Sequence, residues 1–510
     1  MKNFLLLVFI TLLSSSLFGQ KMKFKVTGVP DTTVHLIKYY GKKLLYADTA
    51  FMKNGVVEFN GSKQEAGIMG LLLPDQKYFE FIYNAEPDLY IETDMKDFIK
   101  EMKVKKSAEN QVFLAYIHYL SEKKTFANKL VEERDLLTEG TPEYETLTEK
   151  INSISKEVLA YQKKLIADNS DKLVSKIVNM SLEVVIPEAP VDADGKKLDS
   201  LFNYHYFFEH YFDNVDFTDD RLVNTPIFGN KLDQYFSKTV MLQHWDTIVK
   251  YSFKFCDNLN PKSKMFQYAI TEIILKYQKS KIMGMDKVPV YMLDRYYCAR
   301  NDDGKSPAYW MTEDKLESVC EHMDGKKNTV LGVAPPNISL RDTTDQNWAD
   351  FYSLDAEYKI LYFWSPDCGH CKKVTPKLEQ LYTEKFKGRN VEVFAVSKAI
   401  GADFELWKKF SRENKLTFTN VAVTQSLYTL AQNNPRAVVP KYTTFDALNY
   451  HLTYDIFATP RVIVLDKNNV IIAKQLTISQ LEDFIDRMQK VTDAPKLFPP
   501  DPEEEESMKD

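Results

Sequence analysis

The spacing of hydrophobic positions changes twice along the chain. Residues 22–95 hold short β-rich runs, and Asn54-Gly55 gives a turn signal before the alternating run VVEF. Alternation with a period of two places one face of a strand against a core. Short strands at this spacing predict a small β-sandwich or barrel-like module. From about Ser107 the apolar positions recur every three or four residues instead, which predicts helices.

The helical region begins with a predicted hairpin. Thr141-Pro142 is typical of an N-cap followed by proline at the first helical position. The apolar residues that follow are spaced alternately by four and three: Leu147, Ile151, Ile154, Val158, Tyr161 and Leu165. This seam predicts an antiparallel helical hairpin closed near Gly140. Residues 171–325 are expected to continue as helices joined by turns.

A polar, proline-containing linker near residues 326–340 precedes a third pattern, in which strands and helices alternate. The segments YKILYFW, VEVFAVS, PRVIVLD and VIIAKQL favour strands, and the segments CKKVTPKLEQLYTEKF, ADFELWKKFSREN and SQLEDFIDRMQKV favour helices. Ser479 is the predicted N-cap of the last helix. Alternating strands and helices indicate an α/β domain with a central sheet.

The fold class expected from these patterns is multidomain. It comprises an N-terminal β-rich module at residues 20–105, a central α-helical region at 106–325 and a C-terminal α/β domain at 330–490. With 510 residues, the chain is too long for a single hydrophobic core. No internal repeat is evident.

Both ends of the chain differ in composition from the rest. Residues 1–19 have a lysine, an apolar run and then small residues, which predicts a signal peptide cleaved after Gly19. An uncleaved membrane anchor is the alternative, although the run is shorter than the roughly 20 residues that a span needs. Residues 494–510 carry six acidic residues against two lysines and predict a disordered tail. The mature protein is therefore expected to be periplasmic or otherwise extracytoplasmic, with no stable membrane span.

The overall composition is that of a globular protein, with 44% apolar and 27% charged residues and a formal net charge of −6. No basic patch or stripe is visible, so nucleic acid is not an expected partner. His205, Glu209 and His210 invite a metal interpretation. However, His210 lies five residues from His205 and therefore points away from the face that His205 and Glu209 share. Aromatic packing is the favoured interpretation of that segment, and no metal site is expected.

The strongest chemical signal is the sequence Cys368-Gly369-His370-Cys371, placed where a hydrophobic strand ends and a helix begins. The first turn of a helix offers unpaired N–H groups and the positive end of the helix dipole, which stabilise a thiolate. Two cysteines at this spacing can close a disulfide with little backbone movement. Cys368 is predicted to be the exposed nucleophile and Cys371 the buried resolving thiol, with His370 adding positive charge or a hydrogen bond.

Three other interpretations of the cysteine pair are a structural zinc site, a haem attachment site and a purely structural disulfide. A structural zinc site needs four ligands, and no second pair stands at ligand spacing. Haem attachment needs a histidine directly after the second cysteine, where Lys372 stands. A purely structural disulfide remains open, because disulfides persist outside the cytoplasm.

Residues 330–490 resemble the thioredoxin superfamily, and within it the extracytoplasmic TlpA/ResA-like thiol–disulfide oxidoreductases. The resemblance is carried by LYFWSPDCGHCKKVTP, by YDIFATPRVIVLDKNN and by the entry segment GVAPPNISLRD, and it covers about a third of the chain. It implies a thioredoxin-like fold and a cis-proline loop at Thr459-Pro460 that faces the reactive disulfide and guides a bound peptide. The upstream regions are similar to accessory domains of unknown function.

This sequence departs from the family pattern at three positions. Tyr362 stands where thioredoxin has a buried aspartate, and Val374 stands where many TlpA/ResA-like proteins have a glutamate. Asp367 replaces the usual tryptophan before the first cysteine, and a carboxylate there would raise the pKa of Cys368.

Residues 424–447 resemble an insertion before the cis-proline loop, either shaping a substrate groove or elaborating the surface.

The leading functional hypothesis is a thiol–disulfide oxidoreductase of the cell envelope, whose partners are protein disulfides and an upstream thiol donor or acceptor. The dithiol needs no cofactor, and the direction of electron flow stays open. One alternative is a binding protein whose N-terminal domains capture a partner, and a weaker one is a thiol peroxidase.

Cys256, Cys298 and Cys320 allow at most one further disulfide, and burial as small hydrophobic side chains is favoured over redox partnership.

Overall fold

The computed structural model describes residues 20–491 and 495–500. The predicted signal peptide at residues 1–19 and most of the predicted acidic tail lie outside the described residues. Within the described part, the chain divides into two compact units, one of residues 20–241 and 258–269 and the other of residues 242–257 and 270–500.

The N-terminal region folds into two four-stranded sheets, whose strand orders are β4-β1-β7-β8 and β3-β2-β5-β6. In the first sheet β1 pairs in parallel with β7, whereas the other neighbours in both sheets are antiparallel. The strands are β1 (Lys21–Thr27), β2 (Thr32–Tyr40), β3 (Lys43–Met52), β4 (Val56–Asn60), β5 (Gly67–Leu72), β6 (Tyr78–Tyr83), β7 (Asp88–Asp94) and β8 (Lys103–Lys106).

Alternate residues of both sheets meet in a single hydrophobic core. Phe24 of β1 packs against Phe81 of β6, with ring centroids 4.9 Å apart, and the same core includes residues of β2, β5 and β7. The predicted turn at Asn54-Gly55 joins β3 to β4, and both of its residues have positive φ, the conformation that favours Asn-Gly. The N-terminal region is therefore the β-rich module that the alternation predicts.

The central region is helical. Its helices are α1 (Ala108–Arg134), α2 (Pro142–Asp168), α3 (Leu173–Ser181), α4 (Phe202–His210), α5 (Pro226–Tyr235), α6 (Trp245–Cys256), α7 (Lys264–Gln278), α8 (Lys287–Leu293) and α9 (Glu313–Lys327). The predicted hairpin is formed by α1 and α2, and the rings of Tyr119 and Tyr161 stack between them with centroids 3.9 Å apart. Thr141 caps α2 by accepting a hydrogen bond from the backbone N–H of Tyr144, as its sequence predicts.

The C-terminal region is a seven-stranded sheet of order β10-β9-β13-β12-β11-β14-β15 with helices on it. The central strands β11, β12 and β13 are parallel to one another. The strands are β9 (Ser339–Asp342), β10 (Trp348–Asp350), β11 (Tyr358–Phe363), β12 (Val391–Ala399), β13 (Thr419–Thr424), β14 (Arg461–Asp466) and β15 (Ile471–Lys474). The helices are α10 (Gly369–Leu381), α11 (Ala402–Glu413), α12 (Gln425–Asn433), α13 (Phe445–Leu448), α14 (Tyr450–Thr453) and α15 (Ile478–Met488).

Strand β11 is buried on both faces, and this fixes the direction of the residues that follow it. Ile360, Tyr362 and Trp364 point into the core beneath α10 and α15, whereas Leu361 and Phe363 point into the opposite core. A strand covered on both sides has no polar alternation. The chain therefore leaves the sheet centre with Trp364 already packed under α10.

One local expectation differs from the structure, and one of two open alternatives is excluded by it. The last helix begins at Ile478, because Thr477 rather than Ser479 is its N-cap and forms a capping box with Gln480. The segment 424–447 is part of the fold and more than a surface addition, since Leu427, Val438 and Ala447 are buried in a core of the sheet.

No helix among residues 20–491 and 495–500 is long and apolar enough to cross a membrane.

Candidate functional site

The two cysteines of the Cys-Gly-His-Cys sequence lie at the start of α10, directly after β11. Cys368 is the N-cap of the helix, with extended backbone angles, and its thiol is partly exposed. Cys371 lies in the first helical turn and is fully buried, in the same core as Tyr362 and Trp364. The structure holds both as free thiols. One sulfur is thus accessible from solvent and the other is protected behind it.

The sulfur of Cys368 is held by two backbone groups from different parts of the chain. The backbone N–H of Cys371 donates to Cys368 Sγ, with an N···S distance of 3.4 Å. The thiol itself donates to the carbonyl oxygen of Thr459, 3.2 Å away and 91 residues later in the sequence. The Thr459–Pro460 peptide bond is cis. The fold therefore brings the carbonyl oxygen of Thr459, the residue before Pro460, against the Cys368 sulfur.

The surroundings of the two thiols move their pKa values in opposite directions. Burial by itself raises the pKa of Cys368. Hydrogen bonds donated by the Cys371 thiol, by the backbone N–H groups of Cys371 and His370 and by the Thr459 side chain outweigh that effect, so the pKa of Cys368 lies below the ordinary value. Burial dominates at Cys371 and raises its pKa, and the neighbouring Cys368 sulfur raises it further. At neutral pH the exposed sulfur is the better thiolate and the buried one keeps its proton.

Among the residues beside Cys368, His370 contributes through its backbone. Its imidazole is exposed, and no hydrogen bond joins that ring to Cys368 in the part of the chain that the structure describes. A Cβ at Gly369 would meet no atom within 4 Å, so this position leaves the approach to Cys368 open. The carboxylate of Asp367 accepts a hydrogen bond from the hydroxyl of Ser365.

The departures from the family pattern leave buried, uncharged side chains at Tyr362 and Val374. The Tyr362 hydroxyl and Thr375 Oγ1 are 2.8 Å apart and hydrogen-bonded, and both residues are buried. Thr375 follows Cys371 by four residues, so the two side chains share one face of α10. Val374 is buried in the core. The position that carries an aspartate in thioredoxin therefore carries an uncharged hydroxyl with its own partner.

Asn420 of β13 is a residue that the sequence did not single out. Its side-chain oxygen accepts hydrogen bonds from the indole N–H groups of Trp364, at 3.3 Å, and Trp407, at 3.2 Å. Its amide nitrogen donates to the hydroxyl of Ser411 at 2.8 Å. All four residues are buried. Asn420 thus ties the segment that leads into the cysteine pair to α11, and no periodicity in the sequence signals such a contact.

The remaining cysteines behave differently from one another. Cys298 and Cys320 form a disulfide and are half-buried, so the expectation that they would be buried small side chains is wrong for them. The packing of α9 against the segment after α8 brings them together across 22 residues. Cys256 is fully buried, and burial raises the pKa of its thiol. It therefore fits the expected role of a small hydrophobic side chain.

The two histidines of the aromatic helix α4 have separate partners. His205 Nδ1 lies 2.7 Å from a carboxylate oxygen of Asp199, and His210 Nδ1 lies 2.6 Å from a carboxylate oxygen of Asp213. Among the described residues, no three His, Cys, Asp or Glu side chains are grouped so that they could hold a metal ion.

The low pKa of Cys368 has a direct kinetic consequence. Because only the thiolate is alkylated, the rate at Cys368 should stay high as pH falls through about 8.5, the value of an ordinary thiol, and drop only at lower pH. Iodoacetamide labelling of the full chain, followed by mass spectrometry of the peptide that contains Cys368, measures this inflection. The urea-unfolded chain is the control and should show the ordinary inflection. An inflection at the ordinary value in the folded protein would contradict the electrostatic argument.

Comparison with known proteins places the cysteine pair in a known domain type. Residues 356–471 match a family model described as thioredoxin-like. Residues 151–303 match a second model described as a domain of unknown function, which assigns no activity. No curated protein matches the chain.

Several solved structures are similar to the chain. A domain of a possible thiol-disulfide isomerase from Cytophaga hutchinsonii is 34% identical, with 32% of this chain and 94% of that one covered and a TM-score of 0.25. The thioredoxin domain of a thiol-disulfide oxidoreductase from Bacteroides vulgatus is 23% identical, with 31% and 97% covered and a TM-score of 0.25. A thioredoxin-like protein from Bacteroides caccae is 16% identical, with 59% and 97% covered and a TM-score of 0.40.

Proposed function

Since the C-terminal domain of this chain belongs to the thioredoxin superfamily, we propose that the protein is a thiol–disulfide oxidoreductase of the cell envelope. Cys368 is the nucleophile and Cys371 is the resolving thiol. The observation that carries the proposal is the asymmetry of the pair: a partly exposed sulfur with a lowered pKa stands at a helix N-terminus, and a buried thiol with a raised pKa stands behind it.

The exchange proceeds in two displacement steps. The Cys368 thiolate attacks one sulfur of the substrate disulfide, a mixed disulfide forms, and the other substrate sulfur leaves as a thiolate that takes a proton from water. Cys371 then gives its proton to water and attacks Cys368 Sγ. An internal disulfide forms as the bond between Cys368 and the substrate sulfur breaks, and that second substrate sulfur leaves as a thiolate that takes a proton from water. Two electrons pass from the dithiol to the substrate, and an external thiol partner restores the dithiol.

The position of Thr459 supports a proposed binding place for the substrate beside Cys368. The carbonyl oxygen of Thr459 already accepts a hydrogen bond from Cys368, so a polypeptide chain lying along residues 458–460 would present its cystine to that sulfur. Extended peptides are commonly bound through backbone groups in this way. Thr459 and Pro460 are therefore proposed to orient the substrate. The same steps run in either direction, and the direction depends on the reduction potential of the pair relative to its partners.

An extracytoplasmic location is supported by the Cys298–Cys320 disulfide. Disulfides form and persist in oxidising compartments and are rare in the cytosol, where thiols are kept reduced. The predicted signal peptide agrees with this location. In such a compartment the Cys368–Cys371 pair would need a reducing partner to act as a reductase, or an oxidant to act as an oxidase.

A single-turnover reaction tests the proposed chemistry. The full chain with reduced Cys368 and Cys371 should reduce about one equivalent of a cystine-containing peptide, because one dithiol carries two electrons. Mass spectrometry should then find a new disulfide between Cys368 and Cys371, with Cys298–Cys320 unchanged. The Cys368→Ser variant is the control and should leave the peptide oxidised. A wild-type chain that reacts no faster than this variant would contradict the proposal.

A further inference from the structure

A cavity of about 650 Å³ opens beside the cis-proline loop within the second compact unit. Its lining includes Asp455 and Ile456, which lie before Thr459–Pro460, and Arg461, which follows it. Residues of the strands β14 and β15 and of the start of α15 also line it. A volume of this size is typical of ligand pockets, which span about 300–1,000 Å³. The lining residue Arg461 is therefore two residues along the chain from Thr459, whose carbonyl oxygen contacts Cys368.

The charged groups of the cavity are predominantly basic. One acidic residue, Asp455, lines it, against five basic residues: Lys279, Lys281, Lys326, Arg461 and Lys474. The difference gives a formal charge of +4 for the lining. The whole chain has a net charge of −6, so this concentration of positive charge is local. Clefts lined by one sign of charge concentrate ligands of the opposite sign.

Only part of this positive charge is neutralised within the protein. Lys326 pairs with Asp455 at 3.6 Å, and Lys474 pairs with Asp286 and also donates to the carbonyl oxygen of Thr329. Lys279 and Lys281 are exposed, and no ion pair or hydrogen bond engages either side chain within the described residues. Two lysines at the cavity are therefore available to an external anion.

Helix α15 adds to the positive potential. Its N-cap residue Thr477 and Gln480 of its first turn both line the cavity. The N-terminus of a helix carries the positive end of the helix dipole, which favours negative charge nearby. The basic side chains of the lining and the start of α15 thus both favour carboxylates.

We infer that this cavity binds acidic side chains of the substrate polypeptide, close to the cystine that Cys368 attacks. The inference rests on the proposed oxidoreductase function and names its substrate class. Arg461 is only two residues from Thr459, so the two lie within about 7 Å of each other along the chain. An extended peptide advances about 3.3 Å per residue. Acidic residues about two to four positions from the attacked cysteine would therefore reach the cavity.

Paired peptides test this preference. Two cystine peptides of identical sequence carry either glutamate or glutamine at the three positions that begin two residues from the cysteine. Each reacts in a single turnover with the full chain, whose Cys368 and Cys371 are reduced. We expect the second-order rate constant to be on the order of tenfold higher for the glutamate peptide at low salt, because opposite charges accelerate encounter. High salt should reduce this ratio.

Substitutions of lysines test whether the preference for the glutamate peptide comes from the cavity. The Lys279→Gln, Lys281→Gln double variant should lower the ratio to about two or three, since two available charges are lost. The matched control is Lys441→Gln, Lys467→Gln, which removes the same charge from two exposed lysines that do not line the cavity. Lys467 follows β14 at the end opposite to Arg461. The control should keep both rate constants of the wild-type chain.

The outcomes separate this inference from the proposed function. Equal rates for the two peptides, or a preference for the neutral one, would overturn the acidic-substrate inference and leave the oxidoreductase proposal intact. A ratio that stays at the wild-type value in the Lys279, Lys281 variant, or that falls equally in the control variant, would overturn the assignment to this cavity. Failure of both peptides to react would instead overturn the oxidoreductase proposal.

Discussion

Replacing Cys371 with serine in the full chain should convert the protein into a stable trap for its substrates. Serine keeps the size of the buried side chain but cannot attack a disulfide, so the mixed disulfide on Cys368 should persist. Intramolecular attack by a well-placed group is far faster than attack by a dilute external thiol. We therefore expect release of the trapped substrate to slow by a factor on the order of 10³ or more.

The trapping experiment uses the exposure difference between the two sulfurs. The full-length variant is expressed with residues 1–19 retained. Free thiols are blocked by acid quenching and alkylation, and the adducts are identified by mass spectrometry after non-reducing separation. Cys368→Ser is the matched control and should give no adducts, because Cys371 is fully buried. Adducts on Cys256 alone, or equal yields from the two variants, would argue against Cys368 as the nucleophile.

The second large effect is expected at Asn420. The Asn420→Ala change removes the acceptor shared by the buried indole N–H groups of Trp364 and Trp407. A buried donor without a partner costs about 1–3 kcal/mol, and the lost side-chain volume adds a cavity cost. We expect the free energy of local unfolding to fall by about 3–5 kcal/mol. This is a large part of the 5–15 kcal/mol that stabilises a typical domain.

Native-state hydrogen exchange measures this effect in the intact multidomain chain, where a single unfolding midpoint is not well defined. Protection of the backbone amides of β12 and β13 should fall in Asn420→Ala. Asn449→Ala is the matched control: Asn449 is exposed and its amide donates to a carbonyl of its own neighbouring turn. The control should change stability by less than about 0.5 kcal/mol. A loss below about 1 kcal/mol at Asn420 would show that the indole groups find other acceptors.

Both predictions rest on how the segment around the cysteine pair is built. Trp364 directly follows β11 and packs in the core beneath α10. Asn420 of β13, which is two strands from β11 in the sheet, accepts a hydrogen bond from the Trp364 indole. Cys368 follows Trp364 by four residues and caps the helix. The segment that leads to Cys368 is therefore anchored at Trp364 by a buried polar contact, and the Cys368 sulfur contacts the carbonyl oxygen of Thr459. Rigid support of this kind is what a site needs to hold a reactive geometry.

Much of the fold follows from local patterns in the sequence. The alternation in residues 22–95, the Asn54-Gly55 turn and the Thr141-Pro142 helix start are all confirmed by the structure. These signals work because a strand or helix needs one apolar face, and a turn or cap needs particular residues at neighbouring positions. The wrong prediction of Ser479 as the N-cap of α15 also has a local cause. Thr477 is the N-cap instead, because it forms a capping box with Gln480.

The sequence by itself determined that this chain has a β-rich module, a helical region and a thioredoxin-like domain with two cysteines at a helix start, because spacing along the chain encodes those features. Only the tertiary structure decided which groups distant in sequence come together. These are the Thr459 carbonyl oxygen with Cys368, Asn420 with Trp364, Cys298 with Cys320 in a disulfide, and the basic residues that line a cavity with Arg461. Each of these contacts joins residues far apart in sequence. Their position depends on the order of strands and the packing of helices, which no local pattern specifies.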